Sequence, residues 1–294
     1  MDPGAGAVGL PEGALLSSGR NALRHILRVL AVRKIHVPYY ICPVVIDALN
    51  AEGCEVERYE LADGMLPSGT FPQTDFVLYV NYFGVCGKKV DLLSARYPNL
   101  IVDCAQAYFA KPKGLASFAS PRKFFGVPDG GVAYGVGDGN YPADDSSCRM
   151  LHLLERKEHG ATSLGYEMFR KAEDSLEGAE LLGMSAIAKD MLRKIDLQSA
   201  KSRRLANFAY LKSCLPTSFP LALSEDDVPM AYPYLSDDRE LRDRLIRQKI
   251  YVASYWPGVT GCGDLKDRIL PLPIDQRYGI DDLKRVVDLV LERA

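Results

Sequence analysis

The amino-acid sequence predicts an α/β fold, with a mainly parallel sheet between layers of helices and a small α+β unit at the C-terminal end. In residues 34–135, short apolar segments alternate with helical patterns, which is the order of βαβ units. Some of these segments are almost entirely apolar, as expected for strands that helices cover on both faces. The 294 residues suffice for a large domain, predicted at 1–195, and a small one at 196–294.

The predicted large domain begins with a helix. Ser18 is its predicted N-cap, because apolar residues recur at helical spacing from Ala22 to Leu30. Helices are also predicted at 43–50, where proline lies in the first turn, and at 91–97. The predicted strands are residues 34–38, 54–61, 76–83, 100–102 and 132–135.

The rest of the chain has more helix and fewer strands. Residues 150–214 are predominantly helical, and a continuous helix predicted at 195–215 contains Arg203 and Arg204 and leads into the small domain. In the small domain, strands are predicted at 228–235, 250–254 and 268–271 and helices at 238–248 and 281–293.

Composition limits the kinds of partner. With 36 basic and 38 acidic residues, the formal net charge is −2, so the chain lacks the positive field that nucleic acid or an anionic membrane would need. Its seven cysteines are scattered and never form a Cys-x-x-Cys pair, which indicates neither a disulfide framework nor a metal site and favours the cytoplasm. No apolar run approaches the ~20 residues of a membrane-spanning helix, and Met1–Gly4 does not begin a signal peptide.

Lys123 is the candidate reactive residue. A lysine amine becomes a nucleophile only when apolar surroundings or a neighbouring cation lower its pKa. The flanking residues supply both, namely Arg122, Phe124 and Phe125. Ser120 can present a hydroxyl to a phosphate, and Gly130-Gly131 permits a close backbone approach. Taken alone, this stretch favours a surface lysine, because Ser-x-x-Lys is a weak pattern.

Three other segments offer partners to a ligand near Lys123. Ser18-Gly19-Arg20 opens a helix, where N–H groups and a guanidinium can bind an anion, although an ordinary cap has the same pattern. Tyr40 leaves a strand end and could stack on a planar ring or pack into the core. Asp103, with Gln106 close behind it, ends a strand at the ligand-binding edge of the sheet, where its carboxylate either pairs with a cation or caps the next element.

Together these features describe a site for pyridoxal 5'-phosphate. This cofactor needs a lysine for its aldehyde, a carboxylate that keeps its ring nitrogen protonated, and donors for its phosphate. Each requirement has a candidate residue in this sequence.

The sequence resembles the fold-type I pyridoxal phosphate enzymes and, among them, the DegT/StrS-like nucleotide-sugar aminotransferases. Residues 18–23, Ser-Gly-Arg-Asn-Ala-Leu, resemble the family's Ser-Gly-Thr-x-Ala-Leu, and residues 103–107 are similar to its Asp-Ala-Ala-Gln-Ala. The resemblance implies that Lys123 binds the cofactor's aldehyde, Asp103 pairs with the ring nitrogen, Gln106 contacts the ring hydroxyl side and Tyr40 stacks on the ring. It assigns the phosphate to Ser18, Gly19, Arg20, Ser117 and Ser120.

The resemblance implies transfer of an amino group from glutamate or glutamine to a keto sugar, expected to be nucleotide-linked, by a homodimer with shared active sites. Retention of Lys123 argues against dehydration, because the family's dehydrating members have His there. Some motifs differ from the family pattern: Pro128-Asp129 replaces Gly-Glu, Ser120 replaces a common His, and residues 181–185 lack the Asn and Arg of a loop that reaches the partner subunit. The chain is also short around residues 256–268. Two alternatives stay open: a pyridoxal phosphate lyase, racemase or transferase acting on a small amino acid, and a non-catalytic cofactor-binding partner protein.

Overall fold

The computed structural model describes residues 10–160 and 162–292. A seven-stranded sheet has the order β1-β7-β6-β5-β4-β2-β3. Its strands are β1 (Ala14–Leu16), β2 (Lys34–Pro38), β3 (Glu55–Tyr59), β4 (Phe76–Val80), β5 (Leu100–Asp103), β6 (Ala116–Ala119) and β7 (Gly131–Tyr134). Strands β2 to β6 run parallel, whereas β7 is antiparallel to both β6 and β1. The carboxyl ends of the parallel strands therefore meet at one edge of the sheet.

Helices connect and cover the strands. They are α1 (Gly19–Val29), α2 (Pro43–Ala51), α3 (Gly87–Arg96), α4 (Leu151–His159), α5 (Ser163–Asp174), α6 (Ala186–Arg193), α7 (Leu197–Cys214), α8 (Leu241–Arg247), α9 (Leu265–Arg268) and α10 (Ile280–Leu291). A second sheet pairs β8 (Ala231–Leu235) with β9 (Ile269–Pro273) in antiparallel register. The structure confirms the predicted α/β fold, including the small C-terminal antiparallel sheet.

The central strands are buried because helices cover both faces of the sheet. Strand β5 is fully buried along its length, from Leu100 to Asp103. Helix α1 lays its apolar side against β6 and β7 and buries Leu23, Ile26 and Leu27. Such burial on both sides is typical of parallel strands and explains why they read as apolar runs.

The structure contains two strands that the sequence did not predict and lacks one strand that it did. Strand β6 was not predicted, because Ala-Ser-Phe-Ala lacks β-branched residues; its pairing with β5 and β7 comes from the tertiary context. The three-residue edge strand β1 was not predicted either. The strand predicted at 250–254 is wrong, because these residues are irregular and follow a turn at Lys249 (φ 62°). Ile250 and Val252 are buried without strand pairing, so the apolar alternation there reflects packing alone.

Several predicted bounds shift by a few residues, and strand 34–38 is the same in prediction and structure. Residues 1–9 and Arg293, which the last predicted helix includes, lie outside the described residues. Within 10–160 and 162–292, no helix combines the length and apolar character that crossing a membrane requires. All seven cysteines are free thiols.

Candidate active site

The start of α1 and the loop before Lys123 lie against each other at the carboxyl edge of the sheet. Ser18 caps the helix, and its Oγ accepts a hydrogen bond of 3.1 Å from the Asn21 N–H. A β-carbon placed on Gly19 would lie 3.4 Å from Ser120 Cβ and 3.8 Å from Ser120 Oγ. A hydroxyl therefore stands beside the positive end of a helix, which is a suitable arrangement for binding an anion.

The glycine turn after Lys123 is held directly against this helix start. The Gly130 N–H donates a 2.8 Å hydrogen bond to the Ser17 carbonyl, and the Gly130 φ of 135° is unfavourable for other residues. A β-carbon on Gly131 would lie only 2.0 Å from the Ser18 carbonyl oxygen. The φ angle explains why residue 130 is glycine, and the close approach explains why residue 131 is glycine. Both glycines hold the lysine loop against the backbone of the helix start.

The Arg20 guanidinium points to the chain after α5. Its Nη1 donates to the Leu176 carbonyl, and its buried Nε has no hydrogen-bond partner in the described part of the chain. One guanidinium nitrogen of Arg20 is thus hydrogen-bonded to a carbonyl. The predicted contact of Arg20 with a phosphate stays a prediction.

Asp103 ends β5 at the ligand edge and is only 5% exposed. Burial raises its pKa, while the charge of Lys123 and a 2.8 Å hydrogen bond from the Ala105 N–H to Oδ1 act in the opposite direction. Burial makes the negative charge of this carboxylate costly in free energy, so a cationic partner would stabilise the charged form.

Gln106 and Ser117 place buried donors near Asp103. Gln106 is 1% exposed and its Oε1 accepts a 2.7 Å hydrogen bond from the Phe83 N–H. Its Nε2 is buried, as is Ser117 Oγ on β6, and neither atom has a partner within residues 10–160 and 162–292. A buried donor without a partner costs free energy, so these two atoms indicate a place for a ligand's acceptors.

Lys123 lies in a short 3₁₀ turn, Pro121–Lys123, which Ser120 precedes, and its side chain is exposed. Burial raises the pKa of Asp103 and of Cys42, and the charge of Lys123 acts in the opposite direction on both. Arg122, the predicted cationic neighbour of Lys123, forms an ion pair with Glu173, and its effect on Lys123 stays a prediction.

Arg204, one of the two arginines of α7, supports the lysine loop from the C-terminal part of the chain. Its guanidinium lies 4.6 Å from the Phe124 ring centroid, and its Nε donates a 2.8 Å hydrogen bond to Gln276 Oε1. Gln276 Nε2 in turn donates a hydrogen bond of 2.8 Å to the Phe124 carbonyl. Burial lowers the pKa of Arg204 to about 10. The residue that follows Lys123 is thus fixed by groups far away in sequence.

Tyr40 is buried between other aromatic rings. Its ring stacks on Tyr82 with centroids 5.7 Å apart and meets the edge of Trp256 at 4.8 Å. Burial raises the pKa of Tyr40, and its hydroxyl has no partner among the described residues. Stacking of Tyr40 on a cofactor ring stays a prediction, since one face of the ring already packs on Tyr82.

Sequence reasoning missed Cys42, Tyr255 and Trp256. Burial raises the pKa of Cys42, and the charge of Lys123 acts in the opposite direction. Trp256 has a left-handed backbone (φ 54°), which is strained for an aromatic residue, and Tyr255 packs on Phe83 at 5.5 Å. The available signal was that Trp256 is the single tryptophan of the chain.

The segment 181–185, which lacks the family's Asn and Arg, is attached to β1. The Ser17 N–H donates a hydrogen bond to the Leu182 carbonyl, and the Met184 N–H donates one to the Leu15 carbonyl. Both hydrogen bonds are 3.0 Å long. Asp129 Oδ1 accepts a 3.1 Å hydrogen bond from the Ser185 N–H at the start of α6. Asp129, which follows the Pro128 of the altered turn, therefore links this segment to the lysine loop.

The order and directions of the strands are those of the fold-type I pyridoxal phosphate fold, which the solved structures similar to this chain share. No protein-family model and no curated protein matches the sequence. Among solved structures, the chain is similar to S. venezuelae DesV (19% identity, TM-score 0.63, covering 97% of this chain and 86% of DesV). It is also similar to the sugar aminotransferase CalS13 from Micromonospora echinospora (15%, TM-score 0.60, 94% and 86%).

A third similar structure is a DegT DnrJ EryC1 StrS aminotransferase from Brucella abortus (14% identity, TM-score 0.58, covering 96% of this chain and 85% of that one). The fold expected from the resemblance is thus the observed one. At sequence identities of 14–19%, structural similarity establishes the fold and does not establish the activity.

Proposed function

We propose that this chain is a pyridoxal phosphate-dependent aminotransferase that moves an amino group from glutamate or glutamine to a keto sugar. The observation that supports it is that Asp103 ends β5 and Lys123 follows β6 at the same edge of the sheet, together with two buried donors that have no partner among the described residues, Gln106 Nε2 and Ser117 Oγ. This combination matches the needs of a pyridinium ring that carries an aldehyde and a hydroxyl oxygen.

The residues present fit the cofactor. Asp103 would pair with the ring nitrogen, and the unpartnered Gln106 amide would donate to the ring's hydroxyl side. The start of α1 and the hydroxyls of Ser117 and Ser120 would hold the phosphate. When bound, the cofactor supplies a ring that accepts electrons from the substrate's α-carbon.

Lys123 has two tasks in this proposal. Its Nζ would hold the cofactor through the aldehyde carbon. As a free amine it would act as the base that takes a proton from the α-carbon of the donor amino acid. The exposed side chain of Lys123 leaves space for a substrate to reach it.

Borohydride reduction tests the assignment of Lys123. The purified protein with pyridoxal phosphate should be yellow, and reduction followed by peptide mapping should find the cofactor on Lys123. Lys123→Ala should lower amino transfer from glutamate by ~10³-fold or more, because it removes both the attachment and the base. Lys194→Ala, at an exposed lysine at the C-terminal end of α6, is the control. Attachment to a different lysine would refute the proposal.

A homodimer with shared active sites and a nucleotide-linked acceptor are proposed from the resemblance. A cytoplasmic location is proposed from the composition. A second candidate is a pyridoxal phosphate enzyme for a small amino acid. The sequence of segment 181–185 favours it, because this segment lacks the Asn and Arg of the family's loop that reaches the partner subunit. Conversion of a small amino acid without any keto sugar would support this candidate.

A further inference from the structure

Lys123 is held in place through its backbone. Its side chain is exposed, and its main-chain N–H donates a hydrogen bond of 3.3 Å to the Ser120 carbonyl. The next residue, Phe124, is only 4% exposed, and its N–H donates a hydrogen bond of 3.0 Å to the Pro121 carbonyl. Because packing does not orient an exposed side chain, the direction of the Lys123 amine depends on where the backbone around Phe124 is held.

Two side chains from the C-terminal part of the chain hold Phe124 at two different points. Gln276 Nε2 donates a hydrogen bond of 2.8 Å to the Phe124 carbonyl, and the Arg204 guanidinium lies 4.6 Å from the centroid of the Phe124 ring. The two side chains are also joined to each other, since Arg204 Nε donates a hydrogen bond of 2.8 Å to Gln276 Oε1. Arg204 and Gln276 thus form a clamp on Phe124.

The far end of this clamp is itself fixed by hydrogen bonds. Arg204 Nη1 donates to the Met230 carbonyl at 3.1 Å, directly before β8. Asn207, one turn further along α7, is fully buried. Its Nδ2 donates, at 3.1–3.2 Å, to three carbonyls of the turn after β9, those of Ile274, Asp275 and Tyr278. Since this turn carries Gln276, the clamp connects the lysine loop to α7 and to the ends of both strands of the small sheet.

The charge of Arg204 has no carboxylate partner in residues 10–160 and 162–292. The side chain is 1% exposed, and the neighbouring carboxylate of Asp275 is bound by Arg277 through two hydrogen bonds of 2.7 Å. Burying a guanidinium without a carboxylate costs free energy. A group that is costly to bury and that contacts the lysine loop indicates a role in holding that loop, beyond stability alone.

Given the proposed function, we infer that Arg204 and Gln276 are positioning residues for Lys123. Through Phe124 they fix the loop from which the Lys123 amine reaches the reacting carbon atoms. Displacing a reacting group by about 1 Å can cost on the order of 100-fold in rate. The clamp therefore acts on the rate of the reaction, and the affinity for the donor amino acid should depend on it little.

Gln276→Glu separates positioning from stability. The new carboxylate still accepts from Arg204 Nε and adds an ion pair, but it cannot donate to the Phe124 carbonyl and repels that oxygen. The melting temperature of the apoenzyme should therefore be unchanged or higher. The maximal rate of the absorption change with glutamate should fall about tenfold or more, and the half-saturating glutamate concentration should change by less than about twofold. Gln198→Glu, at an exposed glutamine of α7, is the control.

Attachment of pyridoxal to the apoenzyme provides a measurement that needs no turnover. Pyridoxal lacks the phosphate, so the rate of its visible absorption change depends on the Lys123 amine and not on contacts to a phosphate. This rate should fall about tenfold in Gln276→Glu and stay at the wild-type value in Gln198→Glu.

Arg204→Lys tests the other half of the clamp. A lysine keeps the positive charge, but a single ammonium cannot contact the Phe124 ring, Gln276 and the Met230 carbonyl together. The maximal rate with glutamate and the rate of pyridoxal attachment should both fall about fivefold. Arg203→Lys, at the exposed neighbouring arginine, should leave both rates unchanged.

The inference is overturned if either Gln276→Glu or Arg204→Lys folds and keeps the wild-type rates, or if the loss is found in the half-saturating glutamate concentration instead of the rate. It is also overturned if both variants fail to fold, since the two residues would then serve the fold alone. Borohydride mapping of the wild-type protein distinguishes this inference from the proposed function. If the cofactor is on Lys123 and the variants behave like the wild type, only the inference fails. If the cofactor is not on Lys123, the proposed function itself is wrong.

Discussion

The lysine site and the aromatic cluster of Tyr40, Tyr82, Tyr255 and Trp256 are built in different ways. At the lysine site, residues 17–20, 103–106 and 117–131 follow strand ends and a helix start. Main-chain hydrogen bonds hold them, such as the 2.8 Å bond from the Gly130 N–H to the Ser17 carbonyl. In the aromatic cluster, Tyr40 and Trp256 are more than 200 residues apart in sequence and meet through their side chains.

Backbone strain is found at two aromatic residues near the candidate site. Phe83 and Trp256 both have φ of 54°, in the left-handed region that aromatic residues rarely adopt. The centroids of their rings lie 5.5 and 5.7 Å from that of Tyr255. Strain of this kind persists only where the surrounding structure enforces it and is concentrated at functional sites. The comparison teaches that regular strand ends and a helix start position the lysine site, whereas the aromatic cluster depends on locally strained backbone.

The largest expected effect comes from the lysine site. Asp103→Asn removes the buried charge that would hold the cofactor's ring nitrogen protonated, so amino transfer should fall on the order of 10³-fold while the cofactor stays attached to Lys123. The rate of the absorption change with glutamate measures this effect. Asp91→Asn, at a carboxylate on α3 outside the site, is the control. A fully active Asp103→Asn protein would remove Asp103 from the proposed mechanism.

A smaller effect is expected at the glycine turn. Gly131→Ala places a β-carbon 2.0 Å from the Ser18 carbonyl and 2.7 Å from the Gly19 nitrogen, so it must displace the start of α1. Affinity for pyridoxal phosphate should fall by about 100-fold, and affinity for pyridoxal, which lacks the phosphate, much less. In the control Gly126→Ala, the new β-carbon has its nearest neighbour at 3.8 Å. Equal losses for both ligands would contradict a phosphate site at Ser18 and Gly19.

The smallest effect is expected at Trp256. Trp256→Phe removes part of the ring contact with Tyr40. The KM for the keto acceptor should rise about fivefold, with the main effect on that half of the reaction. Steady-state kinetics and the glutamate absorption change together measure it, and Tyr251→Phe, at an exposed ring in the same segment, is the control. A larger effect on the donor half would place Trp256 with the cofactor.

The comparison also explains which residues could be found from the sequence. Asp103 was placed at the ligand edge because apolar strands in βαβ order put their carboxyl ends together, and the structure has Asp103 at the end of β5. The N-cap role of Ser18 followed from helical periodicity and is observed. Cys42, Tyr255 and Trp256 could not be found in this way, because their neighbours in space are distant in sequence and no local pattern specifies them.

By itself, the sequence determined the α/β class, strand 34–38, the helix start at Ser18 and the order of Asp103 and Lys123 along the chain, since periodicity and capping act over a few residues. Only the tertiary structure decided the pairing of β1 and β6, the partnership of Arg122 with Glu173 and the contact of Trp256 with Tyr40. The physical reason is that strand pairing, ion pairs and aromatic contacts depend on which distant segments meet, and side-chain chemistry alone does not specify that.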